Sequence, residues 1–319
     1  LRFQSDYPQS VKLLLERKAD LNAVGKSGMT PLHLAVLKGQ SASVELLLRH
    51  SAEVNARLAD GQTPLHLAAT TGATNLAALL VRAKADLNAA DHSGATPLHM
   101  AAQKGEPAMV EWLLARGADL NRQTQDGQTP LYAAVRNKHR PIVEQLLRQG
   151  AKLNQPDANG ASPLHVAITL KEQPLAELLL AHQANVNALT REGYTPLYLA
   201  AAAGDPGLVD LLLSRKAEIN AADRLKATAL HVASQKGYHN IVSLLLAHEA
   251  AINVQTRDGV TPLYVAVEKG DEKLVELLLA HKADVNTKNN YGLSPLELAS
   301  ALGYRDIADA LRLHGAKEP

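Results

Sequence analysis

Thr30-Pro31-Leu32-His33-Leu34-Ala35 is the stretch whose reading decides the fold, because it returns as Thr63-Pro64-Leu65-His66-Leu67-Ala68. The same frame starts again at Thr96, Thr129, Ser162, Thr195, Thr228, Thr261 and Ser294, and every step is 33 residues. No insertion or deletion breaks the phase over these starts, so the chain is a tandem array of one supersecondary unit.

Each unit has the same local grammar. The Thr or Ser before Pro supplies a side-chain oxygen to orphan backbone amides, and Pro at the first helical position gives up an N–H that would go unbonded anyway. Thr30, Pro31 and His33, Thr63, Pro64 and His66, and Thr96, Pro97 and His99 are therefore assigned to maintaining the repeat. Two apolar turns follow until Gly39 breaks the segment, and a second apolar run, Val44 with Leu46, Leu47 and Leu48, completes a helical hairpin. That run ends on a basic residue in most units, including Arg17, His50, Arg116, His182, Arg215, His248, His281 and His314, which suits the negative end of a helix dipole. A short extended stretch comes next, Ala52-Glu53-Val54-Asn55 for example, and then a turn such as Asp60-Gly61 or Asp126-Gly127. Helices of eight or nine residues do not persist alone in water. They must stack on neighbours, which gives an all-α solenoid stabilised by unit and interface terms.

The composition agrees and excludes other classes. Of 319 residues, 46% are hydrophobic but only 3% aromatic, so Leu, Ala and Val must fill the core. The absence of cysteine removes disulfides, thiol nucleophiles and thiolate metal sites. A net charge of +1 argues against a nucleic-acid binder that works by bulk charge. No apolar run reaches the roughly 20 residues that a membrane helix needs.

The 33-residue unit with Thr-Pro-Leu-His resembles the ankyrin repeat. The resemblance implies helix-turn-helix units with projecting β-hairpin turns, arranged as a curved stack whose concave side is lined by hairpin tips and first helices. Boundaries are expected at residues 1–26 for a partial, truncated N-terminal repeat, with nine repeats starting near 27, 60, 93, 126, 159, 192, 225, 258 and 291. In the last, Ser294-Pro295-Leu296-Glu297 reads as a capping box, and Ala310 and Arg312 replace the equivalents of Leu46 and Leu48, as befits a polar cap. In the first, Val11, Leu13, Leu14 and Leu15 keep the interior pattern, while the first helix is cut to residues 1–4, so that residues are expected upstream of Leu1. Lys138 and Lys171 replace Gly between helices, and Lys226 and Ala229 replace the turn Gly and the Pro of the seventh unit, so local geometry is expected to differ there.

Catalysis and metal binding are not expected. The column His33, His66, His99, His165 and His231, with Tyr132, Tyr198 and Tyr264 at the same position, tempts a metal reading. Packed helices lie about 8–10 Å apart, whereas two nitrogens on one zinc sit within about 3–4 Å. The resemblance gives this His a structural role instead, bonding loop atoms of its own and the adjoining unit. Gly25-Lys26-Ser27 lacks the upstream half of a phosphate loop, and carboxylates fall in repeating positions rather than in a unique pair. No cofactor is assigned.

Function is then expected at positions that vary between units. The resemblance places partner contacts at minus 4, minus 3 and minus 1 from the capping Thr or Ser and at plus 7 and plus 8. In the third unit these are His92, Ser93, Ala95, Gln103 and Lys104. The later units are richest, with Arg191, Arg224 and Arg257 in the minus 4 column and Tyr194, Leu225, Val260, Tyr291, Leu293 and Leu302 beside them, all expected to be exposed. Against this stand Glu192, Asp223 and Asp258, adjacent acids able to neutralise the arginines as surface pairs worth about 0–1 kcal/mol. The chain is accordingly expected to be a non-catalytic scaffold for a protein or extended peptide. The second reading is a regulatory or targeting module of a larger enzyme or channel. An intracellular, cytoplasmic address is expected, with no membrane insertion and no nucleic-acid partner; delivery as an effector, or a signal upstream of Leu1, stays open.

Overall fold

The computed structural model describes residues 8–318. Among them are nineteen α-helices and no regular strand. The chain divides into two compact units, one ending at Ala158 and one beginning at Asn159.

The first unit opens with α1 (Pro8–Glu16) and a 3-10 turn at Lys26–Gly28. Four helix pairs follow: α2 and α3 (Pro31–Leu37, Ser41–Arg49), α4 and α5 (Pro64–Thr70, Thr74–Arg82), α6 and α7 (Pro97–Lys104, Pro107–Leu114), and α8 and α9 (Pro130–Arg136, Arg140–Arg148). The second holds five pairs: α10 and α11 (Pro163–Thr169, Gln173–Ala181), α12 and α13 (Pro196–Ala203, Pro206–Ser214), α14 and α15 (Ala229–Lys236, His239–Ala247), α16 and α17 (Pro262–Glu268, Glu272–Ala280), and α18 and α19 (Pro295–Leu302, Arg305–Leu313). Within each unit, first helices pack on first helices of the next pair and on their own second helix. The expected first helix at residues 1–4 lies outside the described residues.

The capping Thr and Ser do what the sequence requires, with a variation. In α2 the His33 amide donates to the Thr30 side chain at 3.4 Å, while the His33 ring accepts from the Thr30 amide at 3.3 Å, so that His takes the role usually filled by Glu or Gln in a capping box. In the last pair Glu297 fills that role itself, accepting from the Ser294 amide at 2.6 Å; this bond holds its carboxyl below the usual range. The core is a set of columns. Leu32, Leu65, Leu98 and Leu131 in one unit, and Leu164, Leu197, Leu230, Leu263 and Leu296 in the other, are essentially fully buried. So are Leu47, Leu80, Leu113 and Leu146, and Leu179, Leu212, Leu245, Leu278 and Leu311, on the second helices. Small Ala residues at plus 5, such as Ala68 and Ala200, let the first helices approach closely. Basic residues close the second helices as expected: the rings of His281 and His314 bond the carbonyls of Leu277 and Ala310 at 2.9 Å, and Arg116 bonds that of Trp112 at 3.1 Å.

Three expectations need correction. The loops between pairs are tight fingers with no regular strand among the described residues, closed by bonds such as Asp91 N–H to Ala95 C=O at 2.9 Å; the isolated bridge Ala222 to Thr228 lies in the seventh unit, where Ala229 replaces Pro. Leu13, which keeps the interior apolar pattern, is exposed, while Val11 and Leu15 are half-buried. The substituted glycines leave the turns intact. Lys138, Lys171 and Lys226 adopt φ of 61°, 56° and 61°, the same left-handed region that Gly39 and Gly193 occupy. A left-handed L-residue costs about 1–2 kcal/mol, part of which returns as the greater entropy a glycine loses on folding. Lys171→Gly is therefore expected to raise the unfolding free energy by about 0.5–1 kcal/mol, measurable as a higher denaturant midpoint.

Candidate functional site

Three hydrogen-bond ladders set the geometry of the fingers. The first is backbone to backbone: an amide near each tip donates to the carbonyl 32 residues earlier. In the first unit Ala59 donates to Ser27, His92 to Asp60, Gln125 to Ser93 and Ala158 to Asp126; in the second, Arg191 donates to Asn159, Arg224 to Glu192, Arg257 to Leu225 and Asn290 to Asp258, all at 2.7–3.0 Å. Fingers come so close that a Cβ on Gly160 would lie 2.7 Å from the Arg191 amide nitrogen, which is why glycine recurs there.

The second ladder uses the Asn after each second helix, which lies in a turn closed by bonds such as Ala56 N–H to Glu53 C=O at 3.2 Å rather than at the end of the extended stretch expected from the sequence. Asn22, Asn55, Asn88 and Asn121 accept from the amides of Glu53, Asp86, Asp119 and Lys152, and Asn187, Asn220, Asn253 and Asn286 from those of Glu218, Ala251, Asp284 and Lys317. The third runs through the His column. The rings of His66, His99, His165 and His231 accept the capping-residue amide at Nδ1 and place Nε2 at 3.0–3.1 Å from the carbonyls of Ala95, Gln128, Tyr194 and Val260. That pattern assigns a neutral ring protonated at Nε2. Burial lowers the pKa of His33, His66 and His231, and that of His99 to about 4.

Tyrosine replaces histidine by a different bond that the spacing did not reveal. Tyr132 donates to Asp157 at 2.9 Å, and Tyr264 accepts from Asn289 at 2.9 Å. Burial and then the charge of Asp223 push the Tyr198 phenol up to about 12. Whenever Tyr stands in this column, the residue 25 positions on is Asp157, Asp223 or Asn289, whereas the histidines face Leu58, Asp91, Thr124, Thr190 and Thr256. Asp91 opposite His66 shows that an acid at that position does not by itself mark a Tyr, so the sequence carries this pairing only in part.

The ladders decide which candidate positions reach solvent. Leu225, Tyr291, Leu293 and Leu302 are 61%, 83%, 42% and 46% exposed. Tyr194 and Val260 are not fully exposed as expected, and Ala95 is buried. The minus 1 carbonyl is held by the preceding His, which draws these residues inward, and the Tyr194 ring stacks on Tyr198 at a centroid distance of 4.7 Å.

Arg191, Arg224 and Arg257 are exposed, and none forms an ion pair within 4.0 Å of Glu192, Asp223 or Asp258 among the described residues. The neutralising arrangement weighed from the sequence does not form. Asp223 is engaged instead in holding the amides of Leu225 and Ala227, both at 2.8 Å. Other long polar side chains of the fingers are tied down. Arg57 donates to the carbonyls of Gly61 and Ala90, and Gln125 and Asn290, both at minus 4, donate to those of His92 and Arg257.

The earlier units are less bland than their composition suggests. A groove of about 410 Å³ in the first unit is lined by Met100, Gln103, Asp126, Gln128, Arg136 and Asn137 among others. Gln103 was marked by its plus 7 position; Met100, at plus 4, was not.

Repeated pairs of short helices with intervening fingers, cross-linked by a 33-residue hydrogen-bond pattern, define a repeat solenoid. Family models agree. One for ankyrin repeats (3 copies) matches residues 43–124, 84–157, 109–190, 131–223, 173–258, 197–289 and 230–318, and one for ankyrin repeats (many copies) matches 14–68. The chain belongs to the ankyrin repeat family. Ankyrin repeats are generally protein-interaction modules, and proteins built from them are typically non-catalytic scaffolds. Comparison with curated proteins gives no match. No helix among the described residues is long and apolar enough to cross a membrane.

Proposed function

We propose that this chain binds a protein partner through the fingers and first helices of its later repeats, the sixth to the ninth. The observation that supports this reading is the row Arg191, Arg224 and Arg257, carried on fingers fixed to one another by backbone bonds and left without ion pairs beside exposed Leu225, Tyr291 and Leu293. Arginine and tyrosine are favoured hot-spot residues, and rigid presentation lowers the ordering cost of binding. Binding through this face requires no catalytic group.

Affinity capture from native lysate with mass spectrometry identifies the partner, and the Arg191→Ala, Arg224→Ala, Arg257→Ala triple variant tests the site. That variant is expected to bind the captured partner about tenfold or more weakly, with an unchanged unfolding midpoint because the three side chains are exposed. Undiminished affinity would refute the assignment.

A further inference from the structure

We infer that the arginine row selects an acidic linear segment in an extended conformation, with carboxylates at every third residue; this rests on the proposed site. Consecutive repeats place Arg191, Arg224 and Arg257 at the same finger position. Packed helices of neighbouring repeats are about 8–10 Å apart. Polyproline II advances about 9 Å per turn and presents every third residue on one side. An extended segment bearing acids at that interval therefore meets one guanidinium per turn.

The fingers themselves supply the spacing constraint. The backbone bonds from Arg224 to Glu192 and from Arg257 to Leu225, 3.0 and 2.8 Å, keep the tips from spreading independently. Asn290, which ends the row at minus 4, is bonded back to the carbonyl of Arg257 at 2.7 Å, so cationic contact stops at Arg257. Adjacent charges decide the kind of partner. Glu192 and Asp258 stand one residue beyond Arg191 and Arg257 and are exposed, while Leu225 follows Arg224, so acids interrupt the basic row at two of its three steps. A continuous polyanion such as a nucleic-acid backbone would set phosphates against those carboxylates, whereas separated acidic side chains avoid them. Uncharged residues between the acids would pass beside Leu225 on the Arg224 finger, and residues beyond the last acid beside Tyr291 on the finger after Arg257; both side chains are exposed.

The test uses the full 319-residue chain and fluorescence anisotropy with three labelled probes: a peptide of repeated Glu-Pro-Ala, a peptide of identical composition with its glutamates contiguous, and single-stranded oligothymidine. The spaced peptide is expected to bind about tenfold more tightly than the contiguous one. Its affinity should fall with added salt and be lost in the triple Ala variant. Glu192→Gln with Asp258→Asn, which leaves the backbone bonds in place, should tighten it, and gives a gain-of-binding readout independent of any folding defect in the Ala variant. Equal binding of the two peptides, tighter binding of oligothymidine, or indifference to either set of substitutions overturns the inference. If the peptides fail while the captured partner still depends on the three arginines, only the acidic-segment inference falls; if that partner is indifferent to them, the site itself is wrong.

Discussion

Leu179→Ala is expected to lower the unfolding free energy by about 2–5 kcal/mol, the cost of a buried cavity together with lost transfer energy. Leu179 is fully buried on α11, in the column continued by Leu212, Leu245, Leu278 and Leu311. Its effect reaches beyond its own pair. A helix pair this short is held by its neighbours, so weakening it removes support from the pairs stacked on it, and unfolding should lose cooperativity as well as stability. Denaturant titration followed by circular dichroism measures both. A midpoint equal to that of the parent chain would show that the column does not carry the stack. Leu302→Ala, at an exposed position, is the matched control.

Acid should destabilise the protein through its histidine ladder. The folded pKa values of His33, His66, His99 and His231 are lowered below the ordinary value near 6.5 chiefly by burial. The unfolded chain therefore binds more protons than the folded one as pH falls below about 6.5, and stability falls with it. The contribution is complete above that value and is lost as pH passes down toward the folded values. For His99, whose folded value is about 4, the shift corresponds to about 3 kcal/mol. Protonation puts a second N–H where Nδ1 accepts the Thr96 amide, so the cap and the buried charge fail together. Unfolding midpoints measured between neutral pH and pH 4 should drop steeply, and His99→Tyr combined with Thr124→Asp, which copies the Tyr132 and Asp157 pair, should remove the His99 share. A flat profile over that range would contradict the burial and bonding of the ladder.

The repeat frame, the caps and the apolar columns were legible because they depend on neighbours within a few residues. Thr63, Pro64 and Leu65 announce a helix start wherever they occur together. Contacts 29–33 residues apart were not legible in the same way. Ala95, Tyr194 and Val260 looked like surface residues at minus 1 until their carbonyls proved to be bonded to His66, His165 and His231. The lysines at 138, 171 and 226 looked like disruptions because a residue type states its preference, whereas the surrounding bonds impose the left-handed turn anyway. Pairing of Tyr132 with Asp157 and of Tyr264 with Asn289 was readable only in part by comparing units with one another rather than with a consensus.

The finger bonds bear on how such a chain can change length. Donor and acceptor stand 32 residues apart, so excising residues 192–224 would take away both the Glu192 carbonyl and the Arg224 amide that it receives. Arg191 would keep Asn159, Arg257 would keep Leu225, and Asn187 would meet the amide of Ala251 in place of that of Glu218. Loss or duplication of one whole module leaves no stranded polar group, while removal of a single residue shifts every later rung. Growth and shrinkage by whole repeats thus follow from the bonding itself.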